Sequence, residues 1–595
     1  MGRRRRRCVL KGIGVSSAVA IGSVFVLDRR KIVHPHHHIT SEKAGDEILR
    51  FEKARDVART ALQAIKDRVD VALEHSHILD AHLMMLDDPM LQQNVEKYIS
   101  IEMQCAEWAL SSTISDIKDR FDGVSDDYFR ERRSDVGFVG DRILAAFHGD
   151  SDRGVQHVPD DAVVVAHDIS PADTLVLLKK KLRGFITEVG GSTSHTAILA
   201  RAMEIPAVVG ATGVLDKVGH GDDIIVDGRA GQAIVCPGRQ TLSKYQGIAR
   251  ARDLASEEVL HEVKQPCVTP DGHKVQLLAN VELASEVDQV LAYGAEGIGL
   301  YRTEFLFLEE NLPTERDHLR TYKAVLSAMG KDRKVTLRTF DLGSDKLAPK
   351  LRMPVEDNPA LGLRACRLGF KHEGLFRKQL RAILKATSVV GGRVMFPMIS
   401  GVSEMRQVKA LLFEEREKLL QQGIEFCAPL EVGAMIELPS AVWVADKLAE
   451  ECDFFSIGTN DLIQYSLAID RNNKSVANLY RPLHLSNLRA IAHVVKAAQD
   501  AKIDVSLCGE MASDPMCTAL CMGLGFDSLS MPPSAVPLVK WIVRRFPLWD
   551  AKALLDEAMA KSTIEEIENL AKEALRARVP EIEELLPERD SPGRI

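Results

Sequence analysis

Seven residues invite a chemical reading first: Gly190-Gly191-Ser192-Thr193-Ser194-His195-Thr196. Two glycines and several hydroxyls surround one histidine, after the apolar run 182–189 and before the helix-like run Ala197-Ile198-Leu199-Ala200-Arg201-Ala202-Met203. A strand–loop–helix reading places His195 in the first helical turn. Free backbone N–H groups and the positive end of the helix dipole gather there and would receive a phosphate carried on the imidazole. A neutral imidazole is a nucleophile near neutral pH. A glycine turn with a Ser or Thr capping the helix accounts for the same residues without chemistry.

A second set lies further along the chain. Arg302, Arg338, Glu437, Asn460, Asp461 and Cys508 each fall at the end of an apolar, strand-like run, and Arg364 and Arg471 follow two of them. Arginines facing one mouth would repel each other unless an anion sat among them, and guanidinium forks match carboxylate and phosphate oxygens. Glu437 and Asp461 on neighbouring strands could hold one Mg²⁺, which bridges ligand oxygens. Cys508, in Leu507-Cys508-Gly509-Glu510, offers a thiol whose pKa, near neutrality, suits proton donation to an enolate carbon. Taken singly, an arginine is more often a surface ion pair and a cysteine a small core residue.

The elements that must position these residues follow from hydrophobic period. Residues 8–28 mix glycine with β-branched residues and read as short strands. From 41 to 148 the period changes to three and four (Ile48, Phe51, Ala54, Val57, Ala61, Ile65), with a break at Asp88-Pro89, which predicts a bundle of helices. Strands return at 162–166, 184–187, 207–209 and 223–226. The economical arrangement is one discontinuous α/β domain from 1–30 and 150–238, with a helical domain, 31–149, inserted into it. A polar helical linker at 239–262 follows. Beyond it, eight buried-strand candidates alternate with helix-length segments: 275–281, 297–302, 335–341, 394–399, 430–437, 454–461, 505–510 and 527–531. That count predicts a (β/α)₈ barrel over 263–580, with a tail at 581–595, and the C-terminal strand ends are where this fold carries its chemistry.

Composition narrows the class. The chain has 595 residues, 45% hydrophobic and 27% charged, with a formal charge of −8, which argues against general nucleic-acid binding. Ten cysteines without a CxxC pair indicate neither a disulfide framework nor a zinc site, so a reducing cytoplasm is the expected location. No apolar run is long enough to span a membrane, and Arg3 to Arg7 is not followed by a signal-type apolar segment.

These motifs together resemble the phosphoenolpyruvate–protein phosphotransferases, the Enzyme I family of the bacterial phosphotransferase system. The resemblance rests on the His195 loop, Gly299-Leu300-Tyr301-Arg302-Thr303-Glu304-Phe305, Leu337-Arg338-Thr339-Phe340-Asp341, Phe396-Pro397-Met398, Met435-Ile436-Glu437, Ser456-Ile457-Gly458-Thr459-Asn460-Asp461-Leu462, Ala468-Ile469-Asp470-Arg471-Asn472 and Cys508-Gly509-Glu510. It implies a swivelling α/β phosphohistidine domain, an inserted helical domain that docks the phosphocarrier HPr, and a barrel that binds phosphoenolpyruvate and pairs into a homodimer. It implies that His195 is phosphorylated on Nε2 and that Arg302, Arg338, Asn460, Asp461 and Arg471 bind phosphoenolpyruvate. Lys346 and Arg364 join them as phosphate contacts, Glu437 and Asp461 hold Mg²⁺, and Cys508 protonates the pyruvate enolate. Ser170 stands where the family often has a threonine touching the phosphohistidine. Ser192 replaces a common basic residue, Ser344 a usual glycine, and Ser16-Ser17 a Pro-Gly turn.

Two other readings compete. A pyruvate dikinase or phosphoenolpyruvate synthase shares the histidine domain and the barrel but needs a nucleotide-grasping domain, and no nucleotide loop is evident. A silent sensor that only binds a phosphocarrier would be expected to lose His195, Glu437 or Asp461, and all three are present.

Overall fold

The computed structural model describes all residues except 1–6, 16–18, 28–34, 69–75, 123–126, 148–154, 178–179, 191–199, 201–204, 308–310, 344–346, 348–349, 352, 354–355, 427–428, 472, 474–475, 477–478 and 586–595. His195, Ser192, Ser344, Lys346 and the Ser16-Ser17 turn therefore lie outside the described residues. The chain divides into two units, Met1–Ala255 with Glu583–Ile595, and Ser256–Ile582.

In the first unit, β1 (Cys8–Lys11), β2 (Ile13–Gly14), β3 (Val19–Leu27), β4 (Ala162–Ala166), β5 (Gly184–Thr187), β6 (Ala207–Val209), β7 (Asp223–Asp227) and β8 (Gln232–Val235) form one sheet. Its order is β1-β8-β7-β3-β4-β5-β6-β2. The pairs β3–β4, β4–β5 and β5–β6 are parallel, and β7 flanks β3 antiparallel. The central strands β4, β5 and β6 are buried along their whole length, which is why they read as near-continuous apolar runs. Within β4, Ala162, Val164 and Ala166 enter one core while Val163 and Val165 enter the other, the two-residue period of a pleated strand.

Between β3 and β4 the described residues include five α-helices: α1 (Ala44–Arg68), α2 (Ser76–Leu86), α3 (Pro89–Ser100), α4 (Ala106–Asp122) and α5 (Asp127–Phe147). The Asp88-Pro89 break is a helix start. Asp88 accepts the Met90 N–H at 2.8 Å and Pro89 occupies the first turn. The buried stripe of α1 is Phe51, Ala54, Ala58, Leu62 and Ile65, whereas Val57 and Ala61 face solvent. The expected stripe was thus one residue out of phase at its centre: spacing by four places the larger Leu62, not Ala61, under the bundle. A short helix after β4, α6 (Pro171–Leu177), meets the bundle through the Arg142–Asp173 ion pair at 3.0 Å. Ser170 caps α6, accepting the Asp173 N–H on its hydroxyl at 3.1 Å. The residue expected to touch a phosphohistidine therefore has a local structural partner.

Residues 239–261 form one helix, α7 (Arg239–His261). The second unit is a closed barrel of eight parallel strands, β9 (Gln276–Val281), β10 (Ile298–Tyr301), β11 (Val335–Arg338), β12 (Gly392–Phe396), β13 (Leu430–Ile436), β14 (Phe454–Ile457), β15 (Asp504–Leu507) and β16 (Ser528–Met531), with β16 pairing β9 to close it. Leu300, Met395, Met435, Phe454 and Cys508 form a core of their own, while the residues alternating with them pack into the larger core shared with the helices.

Several strands stop short of their expected ends. The run 454–461 ends as a strand at Ile457, and Thr459, Asn460 and Asp461 begin the helix Thr459–Leu467. The run 335–341 leaves the sheet after Arg338. Polar residues at these points turn out of the ladder and onto the rim.

Candidate active site

The rim is assembled from the C-terminal ends of six successive strands. Arg302 follows β10, Arg338 ends β11, Met398 lies beyond β12, Glu437 follows β13, Asp461 opens the helix after β14, and Cys508 follows β15. Arg302 and Cys508 are far apart in sequence, and the parallel pairing of successive barrel strands brings these residues to one rim.

The arginines are not the unpartnered cluster expected from their number. Arg302 reaches Glu282 at 2.7 Å. Arg338 lies 3.1 Å from Glu304 and 3.3 Å from Asp341. Arg364 grips Asp341 at 2.7 Å and Asp461 at 3.0 Å. Repulsion among guanidinium groups therefore does not by itself require an anion, because Arg338 and Arg364 are offset by Glu304, Asp341 and Asp461. Burial opposes the charge on Arg338, yet Glu304, Asp341 and Glu437 outweigh it and keep the guanidinium protonated. Burial likewise works against Asp341, but Arg338 and Arg364 hold its carboxyl below the usual range. The Nε atoms of Arg302 and Arg338 are buried with no hydrogen-bond partner among the described residues.

Oxygen atoms of Asp341, Glu437 and Asp461 lie within 4.8 Å of one another. Glu437 is 1% exposed. Burial, followed by the charges of Asp341 and Asp461, pushes its carboxyl well above the ordinary value, and Arg338 and Arg364 offset this only partly. Negative charge is in excess, and hard carboxylate oxygens suit a divalent cation such as Mg²⁺. The pair nominated from sequence thus gains Asp341, a third acid that the sequence reading passed over because it seemed to continue a strand.

Backbone strain and close approach surround this cluster. Met398 adopts φ 56° and donates its N–H to Glu437 Oε1 at 2.6 Å. Beside Arg364, Ala365 has φ 53°. A Cβ on Gly458 would come within 2.8 Å of Glu437 Oε2, and one on Gly509 would overlap Thr459, so both positions need glycine.

Cys508 is 3% exposed, and its thiol lies 3.5 Å from the Ile457 carbonyl oxygen. Burial pushes this thiol up to about 11, so the expectation of a pKa near neutrality is overturned. The consequence is a proton held firmly at ordinary pH. Asn460 is turned toward Glu510, donating to its Oε1 at 3.1 Å and accepting its N–H at 2.9 Å. Arg471 is exposed in the loop after the Thr459–Leu467 helix, where its side chain bonds Tyr480. The structure brings together Arg302, Arg338, Arg364, Glu437, Asp461 and Cys508, and leaves Asn460 and Arg471 engaged with rim partners. Of the His195 loop, the approach is described: β5 ends at Thr187, Gly190 turns with φ 114°, and Ala200 is helical and buried.

A parallel eight-stranded barrel with buried acids, guanidinium donors and a neutral thiol at its C-terminal mouth defines an α/β-barrel enzyme for small anionic substrates. Three family models match the chain: "PEP-utilising enzyme, N-terminal" over residues 11–132, "PEP-utilising enzyme, mobile domain" over 158–231, and "PEP-utilising enzyme, PEP-binding domain" over 256–547. Relatives named phosphoenolpyruvate-protein phosphotransferase are similar over nearly the full length. The protein from Listeria innocua is 40% identical over 94% of this chain and 98% of its own, and that from Bacillus sp. (strain S) 39% over 96% and 99%. The Bacillus subtilis protein is 38% identical over 95% of this chain and 100% of its own. The chain belongs to the PEP-utilising enzymes, in the phosphoenolpyruvate–protein phosphotransferase family.

Proposed function

We propose that this chain transfers the phosphoryl group of phosphoenolpyruvate to its own His195 and then to the phosphocarrier HPr, releasing pyruvate, as the first step of a phosphotransferase system. The observation that carries the reading is the barrel mouth, where arginine donors, three carboxylates and a protonated thiol converge from the ends of five strands. Arg302 and Arg338, with Arg364, Lys346, Arg471 and Asn460, hold the phosphate and carboxylate oxygens. Asp341, Glu437 and Asp461 would hold Mg²⁺, which when bound would supply positive charge against the phosphate and the forming enolate. The bond from phosphorus to the enol oxygen breaks as the bond to His195 Nε2 forms. The enolate carbon then takes the Cys508 proton, giving pyruvate, and the thiolate regains a proton from solvent.

For transfer onward, the α/β domain (1–30 and 150–238) moves between the barrel and the helical domain (31–149), with 239–262 as the hinge-bearing linker. At the end of α2 and in the turn to α3, Met84, Asp87 and Asp88 are exposed while His82 and Leu86 are buried, which supports an apolar and acidic docking face for HPr. The enzyme acts in the cytoplasm as a homodimer through the barrel; among the described residues no helix is long and apolar enough to cross a membrane. The test is incubation with phosphoenolpyruvate, Mg²⁺ and HPr, following pyruvate and phosphorylated HPr together. One pyruvate per phosphorylated HPr is expected. An unlabelled carrier would favour the silent sensor, and a requirement for ATP would favour the dikinase.

A further inference from the structure

We propose that Gln379, a residue that bonds none of the charged side chains of the mouth, is the positioning residue for Arg338 and Asp341. It sits on the helix Glu373–Thr387, with no solvent exposure. Its neighbours Phe376, Leu380 and Ile383 belong to the main apolar core, where a leucine or methionine would fill the same volume. Instead its carboxamide is matched on three sides. Oε1 accepts the Phe340 N–H at 3.1 Å. Nε2 donates to Thr303 Oγ1 and to the Tyr322 hydroxyl, each at 3.0 Å. The backbone donor at Phe340 fixes which end of the amide faces it.

The network runs on in one direction. Thr303 Oγ1, its lone pair taken by Gln379, donates to the Arg338 carbonyl at 3.0 Å. The Tyr322 hydroxyl, likewise an acceptor from Gln379, is left to donate to His318 Nδ1 at 2.9 Å. Thr303, Tyr322 and His318 have no exposure either. Two backbone groups on the segment 338–341, along which the chain leaves the β11 ladder, are thus held through Gln379. Two others are fixed independently: the Thr339 N–H by the Met395 carbonyl at 3.0 Å, and the Asp341 N–H by Glu304 Oε1 at 2.7 Å. Without Gln379, the Phe340 N–H is orphaned and Thr303 is free to rotate away from Arg338. The guanidinium and the carboxylate at either end of the segment then lose their common anchor. Displacement by about 1 Å of a group that meets developing charge can cost about 100-fold in rate.

The inference rests on the proposed reaction, and its test separates the two. Single-turnover formation of pyruvate from phosphoenolpyruvate is measured for the full chain, for Gln379→Met, and for Thr303→Val and Thr303→Ser. Gln379→Met and Thr303→Val should lower kcat about 10- to 100-fold while KM changes less than about threefold, because the loss falls on the transition state. The double variant should be no slower than the worse single one, since both break one path. Thr303→Ser keeps the hydroxyl and should restore kcat to within about threefold of wild type, whatever its melting temperature. Phosphate exchange between His195 and HPr should be unchanged. Wild-type rates in Gln379→Met and Thr303→Val would overturn the inference, as would a Ser variant as slow as the Val variant. If Gln379→Met does not fold, the Val and Ser pair decides alone. A wild-type chain that forms no pyruvate overturns instead the reaction on which the inference rests.

Discussion

A proton donor to an enolate must still hold its proton when the enolate forms, and Cys508 is built for that. Its thiol is pushed from 9.0 to about 11 by burial, partly offset by Ser456 and Arg338. Two units correspond to about a hundredfold less thiolate at neutral pH than in an exposed cysteine. The perturbation is alkylation by iodoacetamide, which attacks only the thiolate, followed residue by residue by peptide mapping from pH 7 to 11. Cys508 should react at least about 100-fold more slowly in the native chain than after unfolding, with a rate still rising at pH 10. The raised value also links to stability: the neutral thiol favours the fold fully below about pH 9, and that contribution, at most about 3 kcal/mol, is lost as pH climbs through about 11. Cys508→Ala should flatten this alkaline loss. It should also slow pyruvate formation by about 100- to 10,000-fold, the range for a lost general acid, while sparing exchange between His195 and HPr. Alkylation half-maximal near pH 7 to 8 would refute the reasoning, as would equal losses in both half-reactions.

Three further outcomes follow from other parts of the molecule. Asp341→Asn, Glu437→Gln and Asp461→Asn should each weaken Mg²⁺ binding, read by titration calorimetry, at least about 10-fold, and chelator should silence the wild type reversibly. His318 is held near 4 by burial, so its neutral form stabilises the fold above about pH 6.5, and that contribution is lost as pH falls toward 4. His318→Asn, which keeps an acceptor for Tyr322, should remove about 2–3 kcal/mol of acid sensitivity in urea titrations at pH 7 and pH 4.5. A fragment spanning about residues 262–595 should sediment as a dimer, and one ending near residue 245 as a monomer that still accepts phosphate from phosphorylated HPr.

The barrel was legible because its strands are short β-branched or aromatic runs between amphipathic segments, as at Phe454-Phe455-Ser456-Ile457. Strand ends were less so. Thr339 to Asp341 read as a continuation of β11, because nothing local says that Phe340 leaves the ladder for a glutamine on another helix. Asp341 escaped notice for the same reason, since its partners Arg364 and Asp461 meet it only through tertiary closure. Arginine types and strand-end positions pointed to the rim, but the pairing of Arg302 with Glu282 and Arg338 with Glu304 depends on geometry that spacing does not encode. The thiol pKa misled for a related cause, because burial is a property of the packed barrel. In the helical bundle, Ala61 and Leu62 offered two phases of one stripe, and packing chose the larger side chain.

The central claim is that this chain's own histidine takes the phosphoryl group of phosphoenolpyruvate. The direct measurement is a single turnover with phosphate-labelled phosphoenolpyruvate and Mg²⁺, without HPr or ATP, followed by peptide mapping of wild type and His195→Ala. The account predicts one acid-labile, base-stable label on the peptide containing His195, one pyruvate released per label, and no label in His195→Ala. Label elsewhere in the chain, label retained in His195→Ala, or pyruvate released without labelled protein would contradict it.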